Sequence, residues 1–359
     1  MKPTQQLHEL GQSLWLDNIT RDLLNSGTLG RYIDELSVTG LTSTPTIFDH
    51  AISGSSAYDE AIEKSAAVGK DAEGIFFDLA LDDLTRAADL FKSLHDKTNG
   101  VDGWVSLEVS PLLAFDTEGS IQAAKSLFAR AERSNLYIKI PGTPKGLPAI
   151  EEAIFAGIPV NVTLLFSRAQ YTAAAEAYLR GIERRIEAGL NPQIASVASV
   201  FVSRWDVAVS GKVPAELNNR LGIAVGSQIY RAYLEQIGNA RWQRASNFGA
   251  RPQRLLWAST GVKDPNASDI LYIKELAGPY TVNTMPEKTL LAFADHGEIG
   301  NLFPVEGGEY DNLIYQFIKA GVDLETLAAT LQDEGAKSFV KSWDELISVI
   351  GSKTKQLKG

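Results

Sequence analysis

Eight short apolar, β-favouring runs recur along the chain, each followed by a longer amphipathic stretch, and this alternation constrains the fold more than any other feature. The runs are Ser13 to Asp17 (SLWLD), Gly40 to Thr44 (GLTST), Trp104 to Val109 (WVSLEV), Leu136 to Ile140 (LYIKI), Pro159 to Leu164 (PVNVTL), Ser196 to Val202 (SVASVFV), Arg254 to Ser259 (RLLWAS) and Tyr280 to Asn283 (YTVN). Several are apolar on both faces instead of alternating, the pattern of parallel strands covered by helices. Between them, Ser120 to Ala131, Leu147 to Phe155, Ser167 to Ala188 and Pro265 to Leu276 carry apolar residues three and four apart, the helical period. Strand and helix alternating eight times predict an α/β protein of the (β/α)8 type, a TIM barrel, rather than an open doubly wound sheet.

The 359 residues exceed the roughly 250 of a bare barrel, and the excess falls in identifiable places. Residues 49–98 hold several helical segments before the third strand. Residues 206–251 read as a helical insertion before the seventh strand, and 310–350 as two or three helices packed on the barrel. No internal repeat or low-complexity linker divides the chain, so a single domain over residues 1–359 is expected.

Composition narrows the chemistry. With no cysteine, disulfides, thiolate metal sites and a cysteine nucleophile are excluded. Thirty-four Lys and Arg against 44 Asp and Glu leave a net charge of -10, which repels nucleic acid and anionic membranes. A phosphorylated substrate would therefore need a local cationic pocket. The charged N-terminus and the lack of a long apolar run make a cytoplasmic location the expectation, so the sequons at Asn161 and Asn266 are chance matches. There is no GxGxxG after a strand, no Walker loop, no HExxH and no GxSxG, and His8, His50, His95 and His296 are isolated. No cofactor and no metal are expected.

Chemistry in such barrels sits at the C-terminal ends of the strands. The polar residues there are Asp17, Thr42 with Thr44, Glu108, Lys139, Asn161 with Thr163, Ser199 followed by Arg204, Ser259 followed by Lys263, and Asn283. Lys139 stands between Ile138 and Ile140 in a run expected to be buried on both faces. Burial lowers an amine's pKa and makes it a nucleophile able to condense with a ketone, whereas a lysine snorkelling to solvent is the structural alternative. Asp17 and Glu108 would supply the proton transfers that a Schiff-base mechanism needs, although Asp17 could instead cap the following helix. Arg204 and Lys263, beside the hydroxyls of Ser199 and Ser259, could clamp a phosphate; an ion pair of Arg204 with Asp206 is the competing reading. Pro141 to Gly146 (PGTPKG) has two prolines that remove backbone donors, so it reads as a turn rather than a phosphate loop.

In order along the chain, Trp15 to Asn18 (WLDN), Gly40 to Phe48 (GLTSTPTIF), Val105 to Val109 (VSLEV), Ile138 to Thr143 (IKIPGT), Val160 to Ser167 (VNVTLLFS), Ser199 to Arg204 (SVFVSR) and Leu256 to Lys263 (LWASTGVK) resemble the motifs of the transaldolase family. The similarity is greatest to its longer bacterial branch and runs from about Leu7 to Leu346. The resemblance implies a transferase that moves a dihydroxyacetone unit from a ketose phosphate to an aldose phosphate in the non-oxidative pentose phosphate pathway. It makes Lys139 the Schiff-base lysine, Asp17 the group that deprotonates the C4 hydroxyl, and Glu108 an acid/base acting through a water held with Thr163. Asn161 would bind the dihydroxyacetone unit, with Thr42 and Thr44 at the same strand ends. Arg204 with Ser199 resembles the phosphate site, completed by Ser259 and Lys263. Phe201 matches transaldolases, where the related fructose 6-phosphate aldolases carry tyrosine.

One position departs from the family pattern. Thr44 stands where the family has asparagine, and a shorter side chain there should weaken the hold on the three-carbon unit by roughly 1–3 kcal/mol. A fructose 6-phosphate aldolase-like lyase and a sugar-phosphate-binding barrel without catalysis are the alternatives. A monomer or homodimer is expected, with sugar phosphates as the only partners.

Overall fold

The computed structural model describes residues 1–304 and 308–357. Eight parallel strands close in chain order into a barrel: β1 (Ser13–Asp17), β2 (Val38–Thr42), β3 (Trp104–Glu108), β4 (Leu136–Pro141), β5 (Val160–Leu165), β6 (Ser196–Phe201), β7 (Arg254–Ala258) and β8 (Thr281–Met285), with β8 pairing back to β1. This is the (β/α)8 fold that the alternation predicts. Every residue of β2 to β6 and of β8 is buried, because one face fills the barrel and the other lies under helices.

Strand register decides what the interior contains. Trp15 lies level with Gly40, and Gly40 with Trp104. Trp104 stacks on Tyr137 with ring centroids 4.1 Å apart, and Trp15 lies 6.0 Å from Tyr137, so the lower interior is aromatic. A Cβ on Gly40 would come within 2.7 Å of the Trp15 ring and of the Trp104 carbonyl, so these two strands can approach around the indole only with glycine there. Above the aromatics, Asn161 Nδ2 donates to Ser106 Oγ at 3.1 Å, and Ser199 Oγ donates to Asn161 Oδ1 at 2.6 Å. At the same end, Asp17 is level with Thr42, and Glu108, Lys139 and Asn161 are successive neighbours around the wall.

Three expectations are corrected. β2 ends at Thr42, and Thr44 is not a strand end: its hydroxyl accepts from Ile47 N as N-cap of the helix Pro45–Gly54, with Pro45 in the first turn. Asn283 does not face the mouth. It lies level with Leu14 and with Trp257, whose ring packs outward against Gly226 and Phe303, so Thr284 points inward instead. The helix expected over Pro265 to Leu276 shrinks to Leu271–Glu275, because Asp264 takes the Asn266 and Ala267 backbone N–H groups into a turn.

Helices beyond the simple repeat include Asp59–Ala67 and Ala72–Lys97 before β3, and Ser203–Val209, Leu221–Gly238 and Ala240–Asn247 before β7. After β8 come Glu287–His296, Gly308–Lys319 and the 34-residue helix Leu324–Leu357. This last helix lies across the top of the barrel. Gln332 Nε2 donates to Gly142 O at 3.1 Å and to Leu164 O at 2.9 Å, tying it to the ends of β4 and β5. Trp343 meets Phe76 edge-on at 5.1 Å, and Lys353 Nζ donates to Asp59 Oδ1 at 2.6 Å. Among the described residues no helix is long and apolar enough to cross a membrane.

Candidate active site

Lys139 is 4% exposed and does not reach solvent, which removes the snorkelling alternative. Its ammonium donates to Glu108 Oε2 at 3.0 Å and to Ser43 O at 3.4 Å, and the ring of Phe339 lies 5.5 Å away. The pairing of β3 with β4 sets Glu108 directly beside Lys139, so the ion pair follows from strand register. Burial pushes the Glu108 carboxyl above its ordinary range; Lys139 opposes that shift, and the nearby charge of Asp17 adds to it.

Asp17 ends β1, and the following helix is capped by Thr20, so Asp17 is not an N-cap. Its carboxylate accepts from Thr42 Oγ1 at 2.7 Å, and Thr42 shares a second hydrogen bond, 2.7 Å long, with Thr284 Oγ1. A hydroxyl has one proton, so with Thr42 donating to Asp17, Thr284 donates to Thr42. Burial raises the Asp17 pKa against the Thr42 hydrogen bond and the charges of Lys139 and Lys263. Two carboxyls held toward protonation around one amine are suited to moving protons.

Asn161 and Thr163 line the same wall on β5. Thr163 Oγ1 and Glu108 Oε1 are buried, and neither has a hydrogen-bond partner among the described residues. Ser199 is fully engaged by Asn161 inside the barrel, so it does not stand at the rim as a partner of Arg204. The rim hydroxyls are those of Ser203 and Ser259, which share a 2.9 Å hydrogen bond. Ser259 holds a φ of 54° and Leu164 one of 61°, a left-handed backbone that non-glycine residues adopt at a cost of order 1 kcal/mol.

Arg204 is half-buried, its guanidinium 5.6 Å from the ring of Phe201. It does not pair with Asp206. That carboxylate accepts from Leu221 N at 2.8 Å and from the Tyr272 hydroxyl at 2.8 Å, and burial pushes its pKa up to about 6. Among the described residues neither Arg204 nor the exposed Lys263 makes an ion pair or side-chain hydrogen bond, so both cations remain available to an anion. Phe201 faces Phe166 at 5.5 Å and Phe339 at 6.3 Å, giving the mouth an apolar wall without a hydroxyl.

Residues of the site with no counterpart in the sequence reading include Thr284 behind Thr42, Phe339 over the lysine and Gln332 on the strand ends. The helix that carries Gln332 and Phe339 is amphipathic in sequence, but periodicity does not say which surface an apolar stripe will cover.

The fold and this constellation define a barrel enzyme with a buried lysine and two carboxyls at the C-terminal ends of its strands. The family model described as transaldolase/fructose-6-phosphate aldolase matches residues 14–350. The chain is 42% identical to a transaldolase of Thiobacillus denitrificans over 98% of this chain and 100% of that one. It is 44% identical to a transaldolase of Thermobifida fusca over 96% of each chain, and 43% identical to one of Mycolicibacterium smegmatis over 95% and 94%. The chain belongs to the transaldolase/fructose-6-phosphate aldolase family.

Proposed function

We infer that this transferase is a transaldolase and that it works through a Schiff base on Lys139. Transaldolase activity follows from the family and from relatives that match along nearly the whole chain; the assignment of steps to residues rests on the site. The observation that carries it is the buried Lys139–Glu108 contact of 3.0 Å with Asp17 close enough to shift Glu108.

Lys139 must lose a proton before it can attack, and Glu108 is placed to take it. The amine then adds to the C2 carbonyl carbon of a ketose phosphate such as fructose 6-phosphate or sedoheptulose 7-phosphate. Glu108 returns the proton to the departing hydroxyl, so water leaves and an iminium forms. The partnerless Glu108 Oε1 and Thr163 Oγ1 support a relay through that water. Asp17 takes the C4 hydroxyl proton, the C3–C4 bond breaks, its electrons pass into the iminium to give an enamine, and an aldose phosphate departs. The enamine adds through C3 to the aldehyde of an acceptor such as glyceraldehyde 3-phosphate or erythrose 4-phosphate, Asp17 reprotonates the new alkoxide, and hydrolysis frees Lys139.

Asn161, fixed by Ser106 and Ser199, would orient the three-carbon unit, and Arg204 with Lys263 would hold the phosphate. The apolar wall of Phe201 and Phe339 supports transfer over release to water, since it offers no group to activate one. The hydroxyl of Thr44 is used in capping, and no feature of the site favours a barrel without catalysis. We also propose that the enzyme acts in the cytoplasm, as a monomer or homodimer. Borohydride added with fructose 6-phosphate should leave a three-carbon adduct on Lys139 alone; an unmodified protein, or label on another lysine, would overturn the assignment. Cleavage of fructose 6-phosphate that proceeds equally well without an acceptor aldehyde would instead show a lyase.

A further inference from the structure

The opposite end of the barrel holds a second set of unmet polar groups. Where the strands begin, two cavities of about 400 and 500 Å³ share a wall that includes Asn99, Gly100, Ala195 and Arg251. Tyr137 lines the larger one, and its hydroxyl is open to that cavity, with no hydrogen-bond partner among the described residues. Its ring is locked by the stack on Trp104, and burial keeps the phenol protonated, so it stands ready as a donor.

Arg251 is the second unmet group. The Gln193 amide, with its oxygen turned toward the guanidinium, accepts from Arg251 Nε at 2.9 Å and from Nη2, which leaves Nη1 without an acceptor. No carboxylate among the described residues pairs with it. Its neighbour Arg254 differs in being satisfied. Arg254 donates to Val101 O, Asp102 Oδ1, Ser13 Oγ and Thr281 O, and Asp102 balances its charge while also meeting His8. The excess charge of the cavity is therefore one guanidinium. Val101, Ala195, Pro252 and the Tyr233 ring give the remaining wall an apolar character.

We propose that this cavity binds a small organic monoanion with a flat apolar body, an aromatic carboxylate by its chemistry, held through Arg251 and the Tyr137 hydroxyl. One uncompensated cation beside the Asp102 carboxylate suits a single negative charge better than a phosphate dianion. The volume and walls call for an apolar body rather than a bare ion. The site is separate from the mouth and does not depend on the reaction assigned there.

Isothermal titration calorimetry of the full chain with 2-naphthoate tests this. Saturable one-to-one binding is expected, unchanged in Arg204→Met, weakened at least tenfold in Arg251→Met and about threefold to tenfold in Tyr137→Phe. Arg251→Lys, which keeps the charge, should recover most of the affinity. That recovery separates loss of the ligand contact from loss of structure. Neutral 2-naphthamide and inorganic phosphate should bind at least tenfold more weakly than 2-naphthoate. The proposal fails if 2-naphthoate does not bind, if the amide binds as tightly, if Arg251→Met leaves affinity intact, or if Arg204→Met abolishes it.

Discussion

Replacing Lys139 by methionine removes the ammonium while keeping a side chain of similar reach, so the consequence is electrostatic rather than a cavity. Glu108 stays behind, 5% exposed, with one oxygen already lacking a partner. A buried charge stripped of its counterion costs roughly 3–5 kcal/mol. Glu108 can avoid part of that cost by binding a proton. Burial already lifts its pKa above the ordinary 4.5, and Lys139 is the largest influence holding it down, so the variant's Glu108 titrates higher still. A carboxyl whose folded pKa exceeds its unfolded one loses stability as pH rises between the two values. The unfolded chain titrates alike in parent and variant, so the deficit is set by the two folded values: below the parent's own raised value Glu108 is protonated in both, and the Lys139→Met protein should be nearly as stable as the parent. Above it the parent's Glu108 ionises beside Lys139 while the variant's resists, and the deficit grows by about 1.4 kcal/mol per pH unit until the variant's folded group ionises, levelling at roughly 3–5 kcal/mol. Urea unfolding at pH 5, 6, 7 and 8 reads this directly, with Glu108→Gln/Lys139→Met as the companion variant. The single variant's deficit should widen with pH, and the double variant should be flat and recover most of it. A deficit independent of pH, or a double variant no more stable than the single one, would refute the reasoning.

Other consequences follow from the same geometry. In the role proposed for it Asp17 must be ionised to accept the C4 proton, and its pKa is raised, so kcat/KM should fall with decreasing pH through a value above the ordinary 3.8; Asp17→Asn should lower kcat by roughly 10²–10⁴ with little change in KM. Arg204→Met should raise KM for fructose 6-phosphate by about 10-fold to 100-fold, the worth of a charged hydrogen bond, while borohydride still traps unphosphorylated dihydroxyacetone on Lys139. Gln332→Leu leaves the Gly142 and Leu164 carbonyls without a donor and should cost about 1–3 kcal/mol in urea unfolding, and an unchanged midpoint would count against the anchoring of the last helix. Thr44→Asn keeps a capping side chain, so stability should change by less than about 0.5 kcal/mol, while a lower KM for the ketose would show that the amide reaches substrate.

By itself, the sequence determined the barrel. Strands buried on both faces must be apolar on both, and that signature placed the start of β1, β3, β4, β6 and β7 at the observed residue. It also marked Lys139, Asp17 and Glu108, because charged residues stand out in runs that cannot be solvated. The same property hid the register. A strand apolar on both faces has no alternation to show which residues point inward, so Asn283 read like Thr284, and Ser199 like a rim residue, until pairing with Trp257 and contact with Asn161 separated them. Thr44 was misplaced for a related reason, since a capping threonine and a strand-ending threonine look alike before the helix is seen. Tertiary structure alone decided what covers the mouth and what lies beneath it. Phe339 meets Lys139, and Arg251 meets the cavity beside Tyr137, through contacts between residues far apart in the chain, and local patterns carry no information about which distant surfaces will bury one another.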